Sequence, residues 1–173
     1  MNHIEIDSFS TYIPRNNIPT NPASRNTEKQ FVEAFRKTYL SRQKNHGICG
    51  KELAISGFGI ADLIYADISR SGKFSKVAKI TAFEMKLKSW KKAINQTYRY
   101  SYFADRAIAV VPPGPISRDV KTLKALKKMG IGLWIFNKES SKIHKLITPQ
   151  NTKARLSTAR EKACAAITAY ITG

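Results

Sequence analysis

Two carboxylates and an amine stand at spacings that could do chemistry. Glu84-Met85-Lys86 closes one apolar, strand-like run, and Asp62 sits 22 residues upstream in another. On a strand, residues two apart share a face, so Glu84 and Lys86 point the same way. Phe83, Met85 and Leu87 then form an apolar opposite face. The alternative is an exposed ion pair between Glu84 and Lys86, which would contribute little. Asp62 is flanked by Ile60, Ala61, Leu63 and Ile64, apolar at both parities, which implies a strand buried on both faces. A lone acid there is costly unless paired or metal-bound. Two acids can hold a hard divalent cation such as Mg²⁺ or Mn²⁺, and a neighbouring lysine can orient or deprotonate an attacking water.

Charge names the substrate class for such a cluster. Lys and Arg number 30 against 12 Asp and Glu, a formal net charge of +18, with the excess spread from residue 36 onward. That balance favours a polyanion: nucleic acid through counterion release, or an anionic membrane surface. No run approaches the roughly 20 apolar residues of a spanning helix, and the start lacks the basic-then-apolar order of a secretory signal. Cys49 and Cys164 are isolated, without a CxxC pair or a histidine at ligand spacing, which reads as reduced thiols of a cytoplasmic protein and excludes a structural zinc site. Phosphodiester cleavage is the chemistry these features imply together.

The elements that must position the cluster follow from periodicity. The 173 residues, 42% of them hydrophobic, suit one folded domain. Residues 1–26, with Ile13-Pro14, Ile18-Pro19 and Asn21-Pro22, read as an extended arm before a single domain at 27–173. Asn26 or Thr27 would cap a helix starting near Glu28, with Phe31, Val32, Phe35 and Tyr39 as its apolar face. Gly47 and Gly50 end that pattern. Glu52–Ile68 reads as two strands turning at Gly57 and Gly59. Ser69–Lys76 reads as a polar turn, and Val77–Leu87 as the hairpin partner, with Ile80, Ala82 and Met85 on one side. A helix over Ser89–Arg106 leads to the fully apolar Ala107–Val111, a central strand after a crossover. A basic helix at Ser117–Met129, strands at Gly132–Asn137 and Lys142–Ile147, and a helix over Lys153–Tyr170 with Leu156, Ala159, Ala163, Ile167 and Tyr170 inward complete an α/β fold.

From Glu28 to Pro112 the chain resembles the PD-(D/E)XK, restriction-endonuclease-like nuclease superfamily. Asp62 matches its first sheet acid, Glu84-Met85-Lys86 its (D/E)xK element, and Gln96-Thr-Tyr-Arg-Tyr100 the QxxxY pattern of one branch. Ala61 stands where a proline often precedes the acid. The resemblance implies an α-β-β-β-α-β core at 27–112, a mixed central sheet flanked by helices, and extra C-terminal α/β elements at 113–173. It also implies Mg²⁺ or Mn²⁺ held by Asp62, Glu84 and the Met85 carbonyl, with Lys86 at the water and Gln96 in support.

Glu28 and Glu33 compete for the acid this superfamily often places on its first helix. Glu28 falls with Phe31, Val32 and Phe35 on the buried face. Glu33 falls with Lys29, Arg36 and Lys37 on the wet side, so Glu28 is preferred. Tyr100 shares the face of Gln96 and is either functional or a core tyrosine. Lys88, Trp90, Lys92, Arg99, Tyr100, Lys121, Lys124 and Lys128 are the candidate nucleic-acid contacts. The partner is then nucleic acid, DNA by the resemblance, and not a membrane. A homodimer and a place in a larger complex both stay open. The rival reading is a non-catalytic basic nucleic-acid-binding module.

Overall fold

The computed structural model describes residues 3–9, 22–71, 74–149 and 153–171, with backbone only at 22–26, 71 and 74. Within those residues, seven strands lie in one mixed sheet in chain order. They are β1 (His3–Ser8), β2 (Gly47–Ile55), β3 (Gly59–Ser71), β4 (Phe74–Met85), β5 (Arg106–Val111), β6 (Gly132–Asn137) and β7 (Lys142–Ile147). Among the described residues four α-helices flank it: α1 (Pro22–Leu40), α2 (Trp90–Tyr100), α3 (Val120–Met129) and α4 (Ser157–Thr168). The pairs β1–β2, β4–β5 and β5–β6 are parallel and the others antiparallel. Among the described residues no helix is long and apolar enough to cross a membrane.

The period of two along the central strands divides the core. Phe83, Met85, Ile108, Val110, Trp134 and Phe136 face α1 and pack on its Phe31, Phe35 and Tyr39. The alternate residues face the other helices. Ile64, Ile80 and Ala82 meet Tyr100 and Phe103 and, from α4, Ala159, Ala163 and Ile167. Ala109, Val111, Leu133 and Ile135 meet Ala93 and Ile94 of α2 and Leu126 of α3. β5 and β6 are buried on both faces, which is why they read as unbroken apolar runs.

Several sequence expectations shift. Part of the expected N-terminal arm, residues 3–8, is β1, hydrogen-bonded in parallel along β2; residues 10–21 of it lie outside the described residues. Helix α1 starts at Pro22, not near Glu28. A proline is tolerated there because a first-turn N–H has no intrahelical acceptor. Gly47 and Gly50 are not breakers but strand residues at close contacts. A side chain on Gly50 would strike Ile6 and Phe9, and one on Gly47 would strike the Tyr65 ring. Met85 sides with Phe83, opposite Ile80 and Ala82. Strands β3 and β4 run to Ser71 and from Phe74, through most of the expected turn. Helix α2 stops at Tyr100, and α4 is shorter than expected, leaving Leu156 41% and Tyr170 36% exposed.

Candidate active site

The site lies where β3 and β4 separate. Their backbone pairing ends at Leu63 and Phe83. Beyond that pair, the Met85 N–H donates to Asp62 Oδ2 at 2.8 Å. A carboxylate thus takes the place of a ladder carbonyl, and the two strand ends part around it. β4 itself stays tied to its other neighbour, because the Lys86 N–H donates to the Val110 carbonyl.

Glu84 is fully buried at 0% exposure. Its Oε2 lies 2.6 Å from the Tyr100 hydroxyl. Its Oε1 makes no hydrogen bond among the described residues, and Lys86 Nζ stands 3.5 Å away. The same ammonium is 3.6 Å from Glu28 Oε2, so Lys86 bridges an acid of the sheet and an acid of α1. Asp62, Glu84, Lys86 and Glu28 therefore converge from three elements.

Proton affinities follow from this packing. Burial first, then the charge of Asp62, push Glu84 up to about 8, against the pull of Lys86 and Tyr100. Burial also raises Asp62, opposed by Lys86 and the Met85 N–H. For Lys86, burial pulls downward, but Asp62, Glu84 and Glu28 outweigh it and hold the ammonium above its ordinary range. Burial and then Glu84 raise the Tyr100 phenol. The Tyr100 hydroxyl also lies 2.5 Å from the Ile60 carbonyl, and it has one hydrogen to give. That hydrogen is therefore shared between the Glu84 carboxyl and the Ile60 carbonyl, the two acceptors within reach of the phenol. Buried, partly satisfied acids of this kind are prepared to exchange a proton for a cation.

Among the described residues no group of three or more His, Cys, Asp and Glu side chains is placed to hold a metal ion. The donors present are two carboxylates side by side with a third acid across the lysine. The buried Glu84 Oε1, without a hydrogen bond and met only by the Lys86 ammonium at 3.5 Å, is the feature that fits a cation. A buried carboxylate oxygen without a hydrogen bond is costly unless something positive comes to it.

Other candidates divide clearly. Glu33 is not at the site; it pairs with Arg36 and Lys51, each at 3.6 Å. Arg36 is not on a wet face but 6% exposed, bonded to Glu5 of β1 at 2.8 Å. Gln96 is half-buried and makes no hydrogen bond to either acid among the described residues. Tyr100 is 1% exposed and cannot be a nucleic-acid contact; its role is to hold Glu84. Trp90 is half-buried beside α3, with the Lys91 ammonium 5.6 Å from its ring centre. Lys88, Lys92, Arg99, Lys121, Lys124 and Lys128 are exposed.

Sequence reasoning missed the second buried acid, Asp105. It accepts from the Ile80 N–H and from two nitrogens of Arg160. Its signal was a lone Asp between Ala104 and a strand, but nothing local named Arg160, 55 residues away.

No family model and no curated protein matches the chain. A solved protein of unknown function from Silicibacter pomeroyi is similar at 16% identity, over 73% of this chain and 74% of that one, with a TM-score of 0.48.

Proposed function

We propose that the chain is a metal-dependent nuclease that hydrolyses phosphodiester bonds on a restriction-endonuclease-like core. The observation that carries this reading is the meeting of Asp62, Glu84 and Lys86 at the parting of β3 and β4, with Glu84 Oε1 buried and without a hydrogen bond. The order α1-β2-β3-β4-α2-β5 supports the core assignment, and the net charge of +18 supports a nucleic-acid substrate. DNA is favoured over RNA on the resemblance.

In this reading Asp62, Glu84 and the Met85 carbonyl hold Mg²⁺ or Mn²⁺, with Glu28 completing the acid set. The ion would polarise the phosphate and lower the pKa of a water. Lys86, an ammonium among three acids, would position or activate the water and screen charge developing on phosphate. Tyr100 fixes the Glu84 carboxyl, and Gln96, one turn earlier on α2, would support the site.

The test incubates purified protein with circular, linear, single-stranded and branched DNA, with and without Mg²⁺ or Mn²⁺. Metal-dependent cleavage abolished by Asp62→Ala, Glu84→Ala or Lys86→Ala supports the proposal, and full activity of any of these variants refutes the assignment. A second reading is a non-catalytic basic nucleic-acid-binding module. The exposed lysines of α3 and the lack of a metal-holding group among the described residues favour it. It requires strongly salt-dependent binding with no cleavage under any divalent ion.

A further inference from the structure

The C-terminal end of α2 carries a feature that the acid cluster does not use. Phe58 and Tyr102 stack with ring centres 5.3 Å apart and planes 21° from parallel. Tyr98 meets Tyr102 edge-on at 5.9 Å. Phe58 and Tyr98 each lean on a core cluster, whereas Tyr102 belongs to none and is held by these rings. All three rings are half-buried.

Two exposed guanidiniums frame this shelf. Arg155 lies over the Tyr98 ring at 5.0 Å and donates to Ser101 Oγ and the Met129 carbonyl. Arg99 donates to the Gly57 carbonyl. Both are thus bonded to neutral oxygens, and among the described residues neither is paired with a carboxylate. Gly57, at φ +84°, caps the turn beside the shelf with open space around it. The shelf is linked to the acids through the chain, although Tyr100, two residues from Tyr98 on the helix, points away from that ring. In sequence Tyr100 stands between Tyr98 and Tyr102; it holds Glu84, and its other partner, Ile60, is two residues from Phe58.

We infer that this shelf stacks unpaired nucleobases at the end of α2, the helix that also supplies Tyr100 to the acid cluster, so that the substrate class of the proposed nuclease is single-stranded or frayed nucleic acid. The inference rests on the nuclease reading for its biological meaning, but not for its binding test. Aromatic faces with unneutralised arginines suit an unpaired strand, because each base offers a π-face and each linkage a negative charge. A closed duplex hides those faces within its own stack and presents only phosphates and groove edges.

The test is fluorescence anisotropy of labelled oligo-dT, oligo-U and a blunt DNA duplex of equal length, in EDTA so that cleavage plays no part. Wild-type protein should bind a single strand more tightly than the duplex, and the two oligomers tell DNA from RNA. Tyr102→Leu, which keeps apolar packing but removes the ring, should weaken single-strand binding about tenfold and leave duplex binding unchanged. Tyr102→Trp should restore it. As a check that needs no variant, 2-aminopurine within the strand should lose fluorescence on binding wild-type protein. Equal affinity for strand and duplex, or a Tyr102→Leu protein that binds like wild type, overturns the shelf. Failure of wild-type protein to cleave in Mg²⁺ would remove the nuclease reading and leave this result standing.

Discussion

Two carboxyl groups are buried on the same side of the sheet, and they are treated in opposite ways. Asp105, at 7% exposure, accepts from the Ile80 N–H at 2.9 Å and from Arg160 Nε and Nη2 at 2.8 and 3.0 Å. Arg160 in turn donates to the Ala78 carbonyl and so clasps α4 to β4. Glu84 is buried more deeply, yet one of its oxygens has no hydrogen bond and its lysine stands at 3.5 Å. A satisfied buried acid holds a structure together. An acid left partly unsatisfied next to a second acid costs stability, and that cost is understandable where a ligand completes it.

The largest expected effect separates the two acids by activity. Asp62→Ala or Glu84→Ala should lower metal-dependent cleavage by about a hundredfold or more in protein that still folds. Asp105→Ala should leave cleavage by the folded protein intact. If Asp105→Ala abolishes cleavage without unfolding the chain, the distinction is lost.

Next comes stability. Asp105→Ala leaves the Ile80 N–H and Arg160 without their acceptor and should cost about 3 kcal/mol in denaturant titration. A loss as large from Glu84→Gln would mean that Glu84 is structural too.

A pH series sharpens the contrast further. The folded chain holds the Glu84 proton up to about 8, above the ordinary carboxyl value. Stability from this group is therefore full at low pH and declines as pH rises from the ordinary value toward 8. Metal-free wild type should lose stability relative to Glu84→Gln across that window, by at most about 1.4 kcal/mol per pH unit. Thermal melts of both proteins in EDTA at several pH values check the sign. A widening advantage for wild type with rising pH would contradict the protonated carboxyl.

The smallest effect belongs to α3, far from either acid in role. Lys124→Gln should reduce the salt slope of DNA binding by about one and leave kcat unchanged. A titration of affinity against salt reads this directly. A kcat effect would move that lysine from positioning into chemistry.

Much of the site was legible before folding because it rests on strand periodicity. Glu84 and Lys86 share a face whatever the strand pairs with, and Asp62 stands out in an apolar run. Ala107–Val111 and Gly132–Asn137 read as strands for the same reason, and Gly130 ends α3 in the left-handed conformation that a glycine adopts freely. Glu28 was chosen over Glu33 from helical spacing, and the structure sets it 3.6 Å from Lys86.

What the chain could not state locally was decided by contacts between distant segments. Residues 3–8 have too little apolar pattern to announce a strand, and only pairing with β2 makes them one. Arg36 sits on the polar side of α1 by spacing, yet Glu5 of that added strand buries it. Tyr100 could have been a rim tyrosine or a site residue; the separation of β3 from β4 opened the space in which its hydroxyl reaches Glu84. The sequence by itself determined which side chains share a face, because side-chain direction along a strand or helix follows from backbone geometry alone. Only the tertiary structure decided which faces meet and which buried acid keeps an oxygen without a hydrogen bond, because hydrogen-bond satisfaction depends on groups brought together by the whole fold.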